Sequence, residues 1–147
     1  MISVVKKVAL ATGLAGAVAA GALAQAAPAQ AGTNCASGYH CVFYIGFTSA
    51  KHSYFNSDTD FRNDYFSGTS IAVNDSVFSA SNSSNSGYES HYYYNINDGG
   101  GLVFCVNPGH SVAYTSLTDD GVDGNGFGQR DEASSLRLRP TTSISCF

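Results

Sequence analysis

The chain has 147 residues, 7 of them basic and 11 acidic, so its formal net charge is −4. The few basic residues form no stripe along the sequence, which excludes nucleic acid as an expected partner. All nine Phe and all nine Tyr follow residue 38, and Trp is absent. We therefore expect one small domain with a core built largely from aromatic side chains.

The first 31 residues have the pattern of a signal peptide. Lys6 and Lys7 precede a short apolar run from Val8 to Ala24, and Ala29-Gln30-Ala31 offers the small residues that signal peptidase recognises. A transmembrane anchor is the alternative, but the run is short for one. We expect residues 1–31 to be a signal peptide and residues 32–147 a single secreted domain without a membrane anchor. This domain has a net charge of about −6, because five basic residues remain against the 11 acids.

Four cysteines lie in the predicted domain: Cys35, Cys41, Cys105 and Cys146. An even number in an exported chain indicates two disulfides, for which three pairings can be drawn. The short Gly-containing turn between Cys35 and Cys41 favours a local bridge there, which leaves Cys105 with Cys146. The spacings do not fit a zinc site.

The predicted elements are short strands, because Gly, Ser, Asn and Asp interrupt every apolar run before a helical period is established. Their β-branched and aromatic residues are separated by turn sequences. The predicted strands are Cys41–Phe47, His52–Phe55, Ile71–Val73, Val77–Asn82, Ser90–Asn95, Leu102–Val106, Ser111–Tyr114 and Ser135–Arg139. Eight strands in one domain predict an all-β sandwich. Residues 118–128 are expected to form a loop, and residues 81–86 to separate two halves.

A similar polar corner occurs in each half. Asn74–Ser79 and Arg130–Ser135 both have Asp at the second place and Ser at the sixth, 56 residues apart. Such a repeat indicates two similar β-units, each resembling a Greek key with a long connection.

These motifs resemble the secreted Streptomyces metalloproteinase inhibitor family. The resemblance is carried, in order, by the Cys35–Cys41 opening with Val42-Phe43-Tyr44, both corners, and Tyr92–Tyr94 before Gly99–Gly101. It implies a βγ-crystallin-like sandwich of two Greek-key motifs, stapled by disulfides. It also implies inhibition of an extracellular peptidase, most of all a thermolysin-like metallopeptidase.

The resemblance implies that a disulfide-held, substrate-like loop enters the peptidase, and Cys105-Val106 fits that description. Val106 would supply an apolar side chain, and a disulfide at Cys105 would hold the backbone. The same residues can also be an ordinary buried strand, Val103–Val106. The alternative function on this fold is a non-inhibitory binding module or a killer-toxin-like antimicrobial protein.

Corners of the βγ-crystallin fold often bind calcium, and Asp75, Ser79, Asp131 and Ser134 are the weak calcium candidates here. Phe78 and Arg130 occupy places where that pattern needs oxygen ligands. We therefore expect a structural role for both corners and no cofactor.

Sequence patterns of catalysis are absent. The four histidines have no HExxH spacing, and there is no GxSxG motif. We expect a monomeric binding protein and not an enzyme.

Overall fold

The computed structural model of the protein describes residues 31–122 and 124–147. Residues 1–30 of the predicted signal peptide, and Asp123 of the predicted loop, lie outside the described residues. The chain is all-β, as the sequence predicts, and its strands form two antiparallel sheets. The strands are β1 (His40–Phe43), β2 (Lys51–Tyr54), β3 (Ser79–Asn82), β4 (Tyr88–Asn95), β5 (Gly99–Val106), β6 (Ser111–Val112) and β7 (Ser135–Pro140).

The two sheets exchange segments between the halves of the chain. The first sheet has the order β2-β1-β3-β6 and the second the order β5-β4-β7. Strand β6 follows β5 in the chain but pairs with β3, through Ala80 opposite Val112. In return, Asp58 follows β2 but forms an isolated antiparallel bridge with Leu136 of β7. Each half therefore contributes one short segment to the edge of the other half's sheet.

The core is aromatic, as the composition predicts, and it draws on both sheets. Tyr54 stacks on Phe61 with ring centroids 5.0 Å apart, and Tyr92 packs on Phe104 at 4.5 Å. These rings are buried together with Leu136 and several valines. Aromatic side chains each bury a large apolar area, so a domain of this size obtains a core from few residues.

Three of the predicted strands are shortened by about half or lost. The strand predicted from Cys41 to Phe47 ends at Phe43, because the chain turns back between Tyr44 and Ala50. Residues 71–73 form only an isolated bridge, in which Ala72 pairs with Tyr65. The N–H of Val73 donates to the carbonyl of Asp64, so this segment is bonded to an irregular loop and not to a sheet. The predicted strand from Ser111 to Tyr114 ends at Val112, because a 3-10 turn begins at Tyr114.

Two disulfides join Cys35 to Cys41 and Cys105 to Cys146, which is the pairing that the spacing favours. The second disulfide fastens the C-terminal segment beside β5, where the N–H of Phe147 donates to the carbonyl of Cys105 at 3.0 Å. None of the described residues forms a helix long and apolar enough to cross a membrane. Two disulfides in a small all-β chain fit an extracellular protein.

Candidate functional site

Cys105 and Val106 lie in β5, and the side chains of both are fully buried. They pair with His91 and Ser90 of β4. The carbonyl of Val106 also accepts a hydrogen bond of 2.9 Å from the buried amide of Asn82. The structure thus places this bond in a buried strand, the alternative interpretation of the same residues, and not in an exposed loop. On the side of β5 that faces away from β4, the C-terminal segment covers this bond, and the N–H of Asn107 donates to the carbonyl of Phe147 at 2.8 Å.

An exposed loop supported by a disulfide occurs instead between β1 and β2, at Tyr44–Ala50. Its exposed apolar residue is Ile45, which precedes the turn Gly46–Ser49 and is 49% exposed. The N–H of Ile45 donates to Ser49 Oγ at 3.0 Å, and its carbonyl accepts from Ser79 Oγ at 2.6 Å. Both backbone groups of the exposed residue are therefore fixed by serine hydroxyls.

The turn of this loop packs against the first disulfide. Phe47 meets Phe43 edge to face with ring centroids 5.4 Å apart. Both rings belong to a small cluster with Cys35 and Cys41. The loop is held at two places, by the serines that bond to Ile45 and by this cluster, which contacts Phe47 in the turn. The sequence did not predict this loop, because Ile45-Gly46-Phe47 continues the apolar run of β1.

The two polar corners face each other and exchange backbone hydrogen bonds. The N–H of Asp75 donates to the carbonyl of Ala133 at 3.0 Å, and the N–H of Asp131 donates to the carbonyl of Val77 at 2.9 Å. Both Asp residues have left-handed backbones, with φ of 51° and 69°. Asp tolerates this conformation better than most residues, which explains an acid at the same place of both corners.

The serine at the sixth place of each corner forms a hydrogen bond to a neighbouring hairpin. Ser79 Oγ donates to the carbonyl of Ile45 at 2.6 Å, and Ser135 Oγ donates to the carbonyl of Asn95 at 2.8 Å. Ser79 thus has a structural role and does not lie in the cleft described next, unlike the other calcium candidates Asp75, Asp131 and Ser134.

An acidic cleft of about 480 Å³ lies between the corners. Ser134 Oγ donates to Asp75 Oδ1 at 2.9 Å, so the acid of one corner meets the hydroxyl of the other. Glu132 Oε2 accepts from the N–H of Gly124 at 3.0 Å. The lining residues are Asp75, Tyr94, Asn95, Gly100, Gly124, Asp131, Glu132 and Ser134. Glu132 and the hairpin residues were not predicted, because no spacing in the sequence brings the two corners together into one site.

The cleft disfavours ionisation of Asp131. Partial burial, together with the negative charges of Asp119 and Asp75, raises the pKa of Asp131 to about 6, although Arg130 opposes this. Carboxylate and hydroxyl oxygens in an irregular turn are ligands that hard cations such as Ca²⁺ accept. The residues that line the cleft are therefore of the kind that bind a cation. Without a cation, protonation of Asp131 reduces the repulsion between its carboxylate and those of Asp75 and Asp119.

Two residues of the corners, Phe78 and Arg130, offer no oxygen ligand to a cation. Phe78 stands where the first corner would need a hydroxyl, and the guanidinium of Arg130 lies 5.8 Å from the centre of its ring. Arg130 also forms an ion pair with Asp119 at 3.4 Å. An aromatic ring and a cation replace the oxygen ligands, so the two corners differ in chemistry despite their common backbone.

A buried polar cluster beside the second disulfide has no room for metal chemistry. One ligand atom each from His91, Cys105 and Cys146 lies within 4.8 Å of the others, but both sulfur atoms belong to the disulfide. His91 Nε2 lies 2.7 Å from Glu89 Oε2. Burial opposes ionisation of Glu89, yet hydrogen bonds from His91 and Thr142 hold its pKa below the usual value. This cluster fastens the segment that follows β7.

No protein-family model matches the chain, and no curated protein or solved structure is significantly similar to it. The structure itself defines a class: a small all-β protein with two antiparallel sheets and two disulfides. The features that can indicate its function are the exposed loop, the acidic cleft and the remaining surface.

Proposed function

We propose that the chain is a secreted inhibitor of extracellular peptidases, with thermolysin-like metallopeptidases as its targets. The observation that carries the proposal is that Ile45 is exposed while its backbone is fixed. Its N–H and its carbonyl each form a hydrogen bond with a serine hydroxyl. The inhibitory contact is assigned to this loop and not to Cys105-Val106, because those residues are buried.

The fold proposed for this inhibitor is a βγ-crystallin-like pair of Greek keys. Two features support it. Strand β6 and the Asp58 segment are exchanged between the halves, and the corners are equivalent in backbone conformation. In each half, the third segment along the chain pairs with the sheet of the other half. Two interlocked Greek keys require this exchange.

Inhibition would follow from how a metallopeptidase recognises its substrates. A zinc ion polarises the scissile carbonyl and activates water, while an apolar pocket receives a neighbouring side chain. Ile45 offers an apolar side chain to such a pocket. Because the loop is ordered before binding, little conformational entropy is lost on association. If the backbone were cleaved next to Ile45, the hydrogen bonds of Ser49 and Ser79 would keep Ile45 in place.

The test is a titration of the purified domain against thermolysin, comparing Ile45→Asp with Ile144→Asp. Ile144 is an exposed isoleucine of similar accessibility, 42% against 49%, but it lies near the second disulfide. We expect Ile45→Asp to abolish inhibition and Ile144→Asp to leave it unchanged. Loss of inhibition in both variants, or in neither, would exclude the Ile45 loop as the contact. A wild-type domain that inhibits no metallo-, serine or cysteine peptidase would exclude the function.

A second candidate function is that of a binding module that takes up calcium weakly in the acidic cleft. The juxtaposition of Asp75, Asp131, Glu132 and Ser134 favours it. These oxygens fit the preference of Ca²⁺, but the ion would have to replace the hydrogen bond between Ser134 and Asp75. Thermal melts with millimolar calcium should then show stabilisation that Asp131→Asn reduces. Equal melting temperatures with calcium and with chelator would exclude this candidate.

A further inference from the structure

A second concavity, the uncharged groove, lies apart from both the Ile45 loop and the acidic cleft. It has a volume of about 540 Å³ and is lined by three turns and by one residue each of β4 and β7. The turns supply Gly38, residues 55–57 and residues 84–86, β4 supplies Tyr88, and β7 supplies Leu138. The volume is within the range of small-molecule sites. No step of the proposed inhibition uses these residues.

Two aromatic rings are exposed at this groove. Phe55 is 63% exposed and Tyr88 is 40% exposed. Phe55 is held in place by Tyr39, whose ring meets it edge to face with centroids 5.5 Å apart. Large aromatic rings that a fold holds toward solvent, and not in its core, are a feature of binding surfaces.

The turn at Gly38 lies beside both the rings and the polar groups of this groove. Gly38 has a left-handed backbone with φ of 87°. A Cβ atom at this position would lie 3.7 Å from the Phe55 ring and 3.6 Å from Asn85 Nδ2. The backbone of the turn at residue 38 is thus close to both an aromatic surface and an amide group.

The groove also offers polar groups that the protein does not use. Asn85 Oδ1 accepts a hydrogen bond of 3.0 Å from Ser37 Oγ, which orients the amide. Within residues 31–122 and 124–147, Asn85 Nδ2, the side-chain amide of Asn56 and the hydroxyl of Tyr88 make no hydrogen bond to protein. By contrast, the buried Asn82 uses its amide nitrogen twice, toward Tyr88 and Val106.

The lining carries no charge at neutral pH, since its nine residues are glycine, aromatic, amide, hydroxyl and aliphatic residues. The ligand that matches this lining is uncharged, with an apolar face for the rings and hydroxyl groups for the amides. A sugar ring has both properties. We propose that the uncharged groove is a binding site for a neutral oligosaccharide, which stacks on Phe55 and Tyr88 and hydrogen-bonds to Asn56 and Asn85. This site is independent of the proposed inhibition.

The test is an NMR titration of the purified domain with four neutral sugars: N-acetylchitohexaose, cellohexaose, laminarihexaose and mannohexaose. We expect at least one sugar to bind saturably, with amide shift changes at residue 38, residues 55–57 and residues 84–88. Phe55→Ala and Asn85→Ala should each weaken that binding about tenfold or more. Both side chains are exposed, so thermal melts should show that these variants remain folded.

The matched control is Tyr65→Ala, which removes a ring that is 52% exposed outside the groove. It should leave sugar binding unchanged. The proposal is overturned if no sugar in the panel causes saturable shifts, if the shifts map to residues outside the groove, or if Phe55→Ala and Tyr65→Ala weaken binding equally. A domain that binds sugar but inhibits no peptidase would support the groove and exclude the proposed inhibition.

Discussion

Asp75 and Asp131 hold the same left-handed backbone conformation, with φ of 51° and 69°, at equivalent corners of the two halves. Each donates its N–H to the corner opposite, to Ala133 from Asp75 and to Val77 from Asp131. These acids therefore stabilise the contact between the halves through their backbones. Their side chains both line the acidic cleft, where the charge of Asp75 helps to raise the pKa of Asp131.

The first prediction concerns the strain that Asp avoids at residue 75. Asp75→Ala and Asp75→Gly both remove the carboxylate that accepts the Ser134 hydroxyl. Only alanine is also strained by the left-handed backbone, at a cost of roughly 1–2 kcal/mol. We expect urea denaturation to show Asp75→Ala less stable than Asp75→Gly by about 1 kcal/mol. Equal stabilities would mean that the corner relaxes to another conformation.

The second prediction concerns the charge of Asp131. Its folded pKa of about 6 lies above the ordinary Asp value of 3.8, so the fold disfavours the ionised form. The contribution of Asp131 to stability should therefore fall as pH rises from about 4 to about 6. Asp131→Asn should be more stable than the wild type at pH 7, and the two should converge below pH 4.

The control for this prediction is Asp120→Asn in the neighbouring loop. Hydrogen bonds from Asn125 and from the N–H of Val122 lower the pKa of Asp120. The fold thus favours the ionised form of Asp120, so its replacement should destabilise the protein at pH 7. If thermal melts show both variants shifting in the same direction, the local charge balance described for Asp131 is wrong.

The third prediction concerns acid denaturation. Burial lowers the pKa of His40 from 6.5 to about 4, and its Nδ1 lies 2.6 Å from Ser90 Oγ. The fold therefore favours the neutral ring. The stability that depends on neutral His40 is complete above pH 6.5 and is lost as pH falls to about 4. This loss should amount to about 3 kcal/mol.

The measurement is the free energy of unfolding between pH 4 and pH 7 for the wild type and for His40→Gln. Glutamine keeps a polar group near Ser90 but does not titrate. The variant should be less stable at pH 7, yet its stability should change less with pH. A variant with the same pH dependence as the wild type would show that His40 is not responsible.

The fourth prediction compares how much each disulfide contributes to the free energy of unfolding. The Cys105–Cys146 bridge closes a loop with a sequence separation of 41, against 6 for Cys35–Cys41. By chain entropy, replacing both cysteines by alanine should cost about 4 kcal/mol for the longer loop and about 2 kcal/mol for the shorter one. Denaturant titrations of the two double variants measure this order. The reverse order would mean that packing of Phe43 and Phe47 on the first disulfide outweighs the entropy of loop closure.

The sequence was sufficient for the class of fold because turn residues and aromatic alternation are local signals. They predicted most strands, the break near residues 81–86 and the loop at residues 118–128. The disulfide pairing also agreed with spacing alone. The exchange of Asp58 and β6 was not predicted, since a bridge of one or two residue pairs leaves no periodicity in the sequence.

The candidate sites were less predictable because they depend on contacts between distant segments. Val106 is apolar both in a loop and in a strand, and only the position of β4 and of Asn82 shows that it is buried. The acidic cleft combines Asp75 with Ser134, and no local spacing relates these two residues. The sequence alone shows that Phe78 and Arg130 differ from the calcium-binding pattern. The structure adds that the Arg130 guanidinium lies over the Phe78 ring.

The exchanged segments also determine what would happen if the chain were cut between its halves. Neither disulfide joins the halves, since each closes a loop within one of them. A cut in the turn at residues 83–87 would leave each fragment without the edge segment that the other carries. Such fragments would not be separate domains but complementary pieces, and they should reassemble when mixed after separate production.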